Sequence, residues 1–180
     1  MRLAVSRGAL SGTQRAQMLC MAVRRDEDFY AWQLADAFKR EVFRLIAESP
    51  KAQRNFKYRD QLQESSAGVT KHITEGFLRH SPLDFARFLD YAAGSLGEAK
   101  RRLMDGIELG YFPAPDCEQA LEYATRGLPA VVRLKHSQIR YAARLRQQER
   151  DRRAAAKSKG KRKLPLSRHP PDPSPPDDDM

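Results

Sequence analysis

Apolar residues at helical spacing limit the folds open to this chain more than any other feature of its sequence. From Phe29 to Leu145 they recur every three or four positions, and no stretch alternates apolar and polar residues as a β-strand does. The pattern falls into four segments joined by short linkers, at roughly 29–48, 56–78, 82–107 and 116–150. Four amphipathic helices in this order predict an all-α fold, an antiparallel up-down four-helix bundle that occupies residues 26–150.

Local signals mark where the predicted helices begin and end. Ser81 is a capping residue followed by Pro82 at the first helical position, and Gly110 is a natural C-terminal stop. In the fourth helix, Gly127 and Pro129 predict a kink near Pro129 or a short break, since proline removes a backbone hydrogen bond. The apolar side of that helix is predicted to consist of Leu121, Ala124, Leu128, Val132, Ile139, Ala142 and Leu145.

Positive charge is concentrated at the two ends of the chain. The net charge is +10, but residues 26–150 hold 20 basic and 18 acidic side chains. Residues 1–25 contain five arginines and no acid, and we expect a disordered leader there; a mitochondrial transit peptide and a start codon assigned too early are the alternatives. Residues 151–180 are expected to form a disordered tail, which is basic first and then acidic and proline-rich.

The sequence lacks the hallmarks of several classes of protein. No apolar run approaches the roughly 20 residues that a membrane span requires, and the apolar stretch of a secretory signal is also missing. The two cysteines, Cys20 and Cys117, are not expected to pair, which fits a reducing, cytoplasmic compartment. There is no glycine-rich phosphate loop, no cysteine pair at zinc spacing and no cluster of histidines. We therefore expect no catalytic residues, metal, cofactor, small-molecule substrate or membrane contact.

Six short segments share their order and spacing with one known family. They are Gln61-Leu62, Ile73-Thr74-Glu75-Gly76, Arg79-His80-Ser81, Phe85-Ala86-Arg87-Phe88-Leu89, Ala93-Gly94-Ser95-Leu96-Gly97-Glu98 and Leu109-Gly110-Tyr111. In these segments the chain resembles the 23S rRNA intervening-sequence proteins, to which the accessory variability determinants of diversity-generating retroelements are related. The resemblance covers roughly residues 29–139. It departs from the family pattern at His72, where the family usually has asparagine, and at Thr70, where proline is common.

The resemblance implies a non-enzymatic helical bundle that assembles into a homo-oligomer, in the family a ring-shaped pentamer. The retroelement branch implies a reverse transcriptase and RNA as partners. The resemblance also marks a set of motif residues as either structural or part of a subunit or partner interface: Glu75, Gly76, Gly94, Ser95, Glu98, Gly110 and Tyr111.

The properties of glycine and of carboxylate side chains lead to expectations for some of these motif residues. A glycine inside a helix costs roughly 1 kcal/mol relative to alanine, so Gly94 and Gly97 are expected to lie against another backbone. Gly76 is expected to admit the turn into the third helix. Glu75 and Glu98 are predicted either to lie on the surface or to be buried carboxylates held by Ser95 or a neighbouring arginine.

The fourth helix and the tail supply the candidate nucleic-acid site. On a helical wheel Arg133, Arg140 and Arg144 fall within about 40° of each other, opposite the apolar stripe, and Arg126 joins them if the kink is small. After Leu145 the helix is expected to leave the bundle and become a basic arm that contacts phosphates without reading bases. The alternative is a solvated charged face. The candidate phosphate contacts are Arg126, Arg133, Arg140, Arg144, Arg146, Arg150, Arg152, Arg153, Lys157, Lys161, Arg162 and Lys163.

Two functions remain open from the sequence. The first is an oligomeric RNA-binding accessory protein of a retroelement or another ribonucleoprotein, with RNA placed ahead of DNA by the family resemblance alone. The second is a protein-interaction scaffold that docks a partner enzyme and has no direct role with nucleic acid. Exposed aromatic residues would favour the scaffold, and the candidates are Trp32, Tyr91, Tyr111 and Phe112. Trp32 could equally cap one end of the bundle.

Overall fold

The protein is α-helical throughout the part that the structure describes. The structure is a computed structural model that describes residues 25–161, with side chains through Ser158. A 3-10 turn at Asp26–Asp28 precedes five helices: α1 Tyr30–Glu48, α2 Pro50–Arg54, α3 Phe56–Phe77, α4 Pro82–Glu108 and α5 Ala114–Lys161. No strand occurs between residues 25 and 161, so the all-α prediction is confirmed there. The predicted leader lies outside the described residues except for Arg25.

Side-chain caps fix where the helices begin. The Ser81 Oγ accepts a hydrogen bond of 3.3 Å from the Asp84 backbone N–H, as its position before Pro82 predicts. Ser49 caps the short helix α2 in the same way, at 3.1 Å from the Ala52 N–H. Gly110 follows α4 with a φ of +68°, a left-handed conformation that favours glycine, so the predicted stop is confirmed.

The four long helices share one hydrophobic core. Fully buried side chains come from each of them, among them Phe38 in α1, Ile73 in α3, Leu96 in α4 and Val131 in α5. The buried apolar side chains of α4 recur at helical spacing from Phe85 to Leu103. Burial of each large apolar side chain stabilises the fold by roughly 1.5–3 kcal/mol, so this core is the main force that holds the helices together.

The face that α5 buries overlaps the predicted one only in part. Ala124 and Ala142 are buried as predicted and Leu121 packs against the core, whereas Leu128, Val132, Ile139 and Leu145 are 38 to 41% exposed. Positions outside the predicted face are buried as well, among them Cys117, Ala120 and Val131. Size explains the difference, because a Cβ on Gly127 would lie only 3.1 Å from the Leu96 side chain, and larger residues on this face would hold α5 away from the core.

Helix α5 also runs further, and with fewer interruptions, than the sequence predicts. It continues through Gly127 and Pro129, so the predicted break is wrong, while a bend at Pro129 stays a prediction. It extends to Lys161, into the segment from residue 151 onward that was expected to form a disordered tail, and the disorder of that tail stays a prediction. Alanine and arginine are strong helix formers, and the Arg153 guanidinium pairs with Glu149 one turn earlier, at 2.8 Å. Residues 162–180 lie outside the described part of the chain.

The chain divides into two compact units between Ala143 and Arg144. The first unit contains α1 to α4 and the part of α5 that reaches the shared core. The second contains the C-terminal part of α5, where every side chain from Leu145 to Ser158 is exposed. Within residues 25–161 no helix is long and apolar enough to cross a membrane.

Candidate nucleic-acid interface

The basic residues of α5 in the first unit are not equivalent. Arg126, Arg133 and Arg140 are exposed and recur every seven positions, which places them on one face of the helix. Arg126 is already engaged, since its guanidinium donates to Glu122 at 2.9 Å and to the Tyr30 hydroxyl at 2.8 Å. The hydrogen bond to Tyr30 raises the pKa of Arg126 most, and the one to Glu122 raises it as well. Arg133 and Arg140 have no carboxylate within ion-pair distance among the described residues.

The second unit carries a basic stripe on its own face of α5. Arg146, Arg150, Arg153 and Lys157 stand at positions i, i+4, i+7 and i+11, so they lie within roughly 60° around the helix. Of these, Arg153 is paired with Glu149. Arg144 is half-buried, and Arg152 is exposed on another side. The side chain of Lys161, together with Arg162 and Lys163, lies outside the described residues. The roles of these residues in binding stay predictions.

The motif residues near the end of α3 shape the contact between α3 and α4. Glu75 accepts a hydrogen bond of 2.8 Å from Arg79, and the Arg79 guanidinium lies over the Phe88 ring at 5.1 Å. Gly76 lies inside α3 and not in the turn that follows. A Cβ on Gly76 would lie 2.6 Å from the Phe85 ring and 2.7 Å from the Phe88 Cβ. The glycine therefore allows two aromatic residues of α4 to pack against α3.

Within residues 25–161, Gly94 and Gly97 do not face another backbone. A Cβ at either position would meet no atom of this part of the chain within 4 Å, so the expected close approach does not occur there. The close approach occurs instead at Gly68 of α3, where a Cβ would lie 3.1 Å from the Ser95 Oγ. Ser95 therefore fills the space against α3, and Gly94 and Gly97 leave part of the surface of α4 open.

Glu98 and Tyr111 belong to a polar network at the other end of α3 and α4. Glu98 lies on the surface and pairs with Arg102 at 2.8 Å, as one of the two predicted alternatives has it. Arg102 also donates to Gln61 at 2.7 Å. The Tyr111 hydroxyl accepts from Asn55 at 2.8 Å, and its carbonyl accepts from Ser49 at 2.7 Å. Within this unit these residues hold helix ends together.

Of the four aromatic candidates for partner anchors, three are tied to the core. Phe112 is buried, with 3% exposure, and Tyr111 is half-buried against Tyr58, with ring centres 4.8 Å apart. Trp32 packs against the core and donates from its Nε1 to the Thr74 Oγ1 at 3.2 Å. Only Tyr91 among the four is largely exposed, at 53%.

Tyr91 lies at a cleft that the sequence motifs do not predict. The cleft has a volume of about 320 Å³ and is lined by Arg79, Asp84, Arg87, Phe88 and Tyr91. Arg87 precedes Tyr91 by four residues on α4, which places both on one face of the helix. That spacing of an arginine and an exposed aromatic is the signal by which the sequence could have indicated the cleft. Arg79 lies in the turn that follows α3, and its place in the cleft depends on how that turn folds against α4.

His72 extends the ring cluster beside this cleft. Its ring centre lies 5.7 Å from that of Tyr91 and 6.5 Å from that of Phe88. The His72 Nδ1 is enclosed and has no hydrogen-bond partner among the described residues. Burial lowers the pKa of His72 below its ordinary 6.5, Lys71 lowers it further, and Glu75 acts in the opposite direction. The imidazole is therefore uncharged at neutral pH.

The described residues offer no grouping of the kind that holds a metal ion. Among residues 25–161 no three His, Cys, Asp or Glu side chains converge on one point. Cys117 is buried as a free thiol, and burial raises its pKa to about 11. A thiol that stays protonated at neutral pH is a poor nucleophile.

Comparison with known proteins identifies one family. The family model for the 23S rRNA-intervening sequence protein matches residues 27–127, which is more than half of the chain. No curated protein matches the chain. The matched range contains α1 to α4, the cleft beside Tyr91 and Arg126, and it ends before Arg133 and the basic stripe of the second unit.

Proposed function

The chain belongs to the 23S rRNA-intervening sequence protein family, and from this membership we propose that it is a non-enzymatic, RNA-binding accessory protein. Its four long helices form an antiparallel up-down bundle, and the protein acts in the cytoplasm as a homo-oligomer, a pentamer if it assembles as the resemblance implies. Its setting is a ribonucleoprotein, such as one built around the reverse transcriptase of a retroelement.

The observation that carries this proposal is a set of arginines on α5 that no carboxylate neutralises. Arg133 and Arg140 in the first unit, and Arg146, Arg150 and Arg152 in the second, are exposed without an ion pair among the described residues. Other arginines are paired, for instance Arg44, Arg79 and Arg102. A phosphate does not have to displace a carboxylate from an unpaired guanidinium, so these five are the most available for RNA.

The exposed apolar stripe of α5 supports self-association. Leu128, Val132 and Ile139 remain 38 to 41% exposed although they recur at the spacing of a buried helix face. A second copy of the chain is the proposed occupant.

RNA affinity of paired double variants tests the phosphate contacts. Arg146→Ala with Arg150→Ala removes two unpaired charges and keeps a good helix former at both positions. The matched control, Arg54→Ala with Lys57→Ala, removes two exposed charges from α2 and α3. The proposal expects the α5 variant to lower the salt dependence of binding by about two in logarithmic slope, and the control to leave it unchanged. Equal effects of the two variants would contradict the assignment to α5.

The scaffold function remains the second candidate, and one observation favours it. Tyr91 is exposed on a helix that otherwise buries its apolar face. Phe112 and Trp32 no longer support it, because they pack in or against the core. A full chain that binds no RNA at physiological salt but captures a reverse transcriptase would favour the scaffold.

A further inference from the structure

We propose that the cleft beside Tyr91 binds an unpaired nucleotide of single-stranded RNA. The inference rests on the proposed function in taking RNA as the ligand. It concerns a different site, however, because the cleft is lined by the turn after α3 and by α4 of the first unit and uses none of the basic residues of α5.

The Tyr91 ring is exposed but held in place by neighbouring rings. Although 53% exposed, it is held on two sides. Phe88 contacts it in an edge-to-face arrangement, with ring centres 5.7 Å apart and planes at 84°, and His72 lies at the same distance. A ring held in place before binding loses little conformational entropy when a base stacks on it. Tyr91 is therefore a preformed stacking surface.

The side chains that line the cleft carry more positive than negative charge. Two guanidinium groups, on Arg79 and Arg87, face the single carboxylate of Asp84 among the lining residues. The contact of Arg87 with Asp84 is 3.8 Å, longer than a hydrogen bond, so the Arg87 donors remain available. Arg79 uses one Nη to bind Glu75 and rests on Phe88, which fixes its guanidinium at the cleft. A phosphate next to a stacked base would find the donors of Arg87 within the same cleft.

The volume of the cleft fits a single nucleotide. A volume of about 320 Å³ lies at the lower end of the range of roughly 300–1,000 Å³ found for small-ligand sites, enough for one nucleotide. A base inside a duplex has both faces covered by its neighbours, so Tyr91 can stack only on an unpaired base. The site is thus expected to distinguish single-stranded from double-stranded RNA.

The cleft also gives a role to motif residues that phosphate binding by α5 leaves unexplained. Gly76 lets Phe88 approach α3, and Glu75 orients Arg79. The exposed side chains of α5 in the second unit include no aromatic residue, so they offer phosphate contacts without stacking. Preference for an unpaired strand would have to come from elsewhere in the molecule, and this cleft provides the chemistry for it.

The test measures binding of the full chain to a labelled oligouridylate and to an RNA duplex by fluorescence anisotropy. Tyr91→Ala is expected to weaken oligouridylate binding by roughly 5- to 100-fold and to leave duplex binding unchanged. Tyr91→Phe is the matched control, since it keeps the ring, and it should bind like the wild-type protein. Equal affinity of Tyr91→Ala and wild type for oligouridylate, or an equal loss for both RNAs, would overturn the proposal.

The same measurements separate this proposal from the proposed function. If the double variant at Arg146 and Arg150 loses affinity while Tyr91→Ala binds oligouridylate normally, the cleft is refuted and the phosphate site on α5 stands. If the wild-type chain binds neither RNA, both proposals fail.

A second measurement does not depend on the folding of a variant. Photo-crosslinking of the wild-type chain to an oligouridylate that contains 4-thiouridine is expected to label the peptide that includes Phe88 and Tyr91. Crosslinks confined to α5 would overturn the proposal.

Discussion

The guanidinium carbon of Arg79 lies 5.1 Å from the centre of the Phe88 ring, and this contact joins the turn after α3 to the first half of α4. A cation over an aromatic face contributes roughly 0.5–1 kcal/mol at an exposed site. The contact also places a guanidinium at the cleft beside Tyr91. The same pair of residues therefore stabilises the turn between the helices and shapes the candidate base-binding site.

Gly76→Ala should destabilise the protein. The added methyl group would lie within 2.7 Å of side-chain atoms of both Phe85 and Phe88, so one helix must shift. Overpacking of this kind costs about 1–3 kcal/mol. Urea denaturation, followed by the far-ultraviolet circular dichroism of the full chain, measures the change in the free energy of unfolding.

Gly97→Ala is the contrasting change and should stabilise each chain. No atom of residues 25–161 lies within 4 Å of the added methyl group, and alanine is favoured over glycine inside a helix by roughly 0.5–1 kcal/mol. The same denaturation experiment provides the value. A loss of stability here would show that the surface of α4 around Gly97 is covered in the assembled protein. Sedimentation analysis of the variant would then report whether it still assembles.

Stability should fall as the pH drops below about 6.5, and His72 should contribute to the fall. The pKa of His72 is lowered in the folded chain, chiefly by burial, so the unfolded chain binds more protons in this pH range. The contribution of His72 is complete above the ordinary pKa and is lost as the pH falls toward the lowered one. His72→Gln should flatten the dependence of the free energy of unfolding on pH between 7 and 5, measured by denaturation at several pH values. An identical slope in the variant would contradict the prediction.

Arg133→Ala should weaken RNA binding more than Arg126→Ala. Arg126 already donates to Glu122 and Tyr30, whereas Arg133 is unpaired among the described residues. Loss of one phosphate contact lowers the logarithmic salt slope by about one. Affinities of both variants over a salt series give the two slopes. A larger change in slope for Arg126→Ala would argue that pairing does not decide which arginines bind.

The positions of the helices could be predicted because they depend on neighbouring residues. Which face of α5 is buried was harder to predict, because two faces of that helix are apolar. The cap at Ser81 and the stop at Gly110 depend on neighbouring residues alone, and both are as predicted. The larger apolar side chains of Leu128 and Val132 led to the prediction that the face containing them is buried. The core accepted the smaller residues near Gly127, because the space left by Leu96 and the facing helices decides which face fits.

The candidate sites also combine features that the sequence shows with features that only the fold shows. The basic residues of α5 are visible in the sequence because they follow one another along a single helix. Which of them are free is a tertiary property, as the contact of Arg126 with Tyr30 of α1 shows. The cleft beside Tyr91 combines Arg79, from the turn after α3, with Phe88 and Tyr91 of α4, and the fold of this turn against α4 brings them together.

The most direct test of RNA binding compares the affinity of the full chain with that of a chain ending at Ala143, over a series of salt concentrations. Counterion release predicts that the logarithm of the full chain's affinity falls linearly with the logarithm of salt concentration, with a slope that grows with the number of phosphate contacts. We expect a steep slope for the full chain and a clearly shallower one, with weaker binding, for the shortened chain. Absence of RNA binding by the full chain at physiological salt, or identical slopes for both chains, would contradict the proposed function of the basic residues of α5.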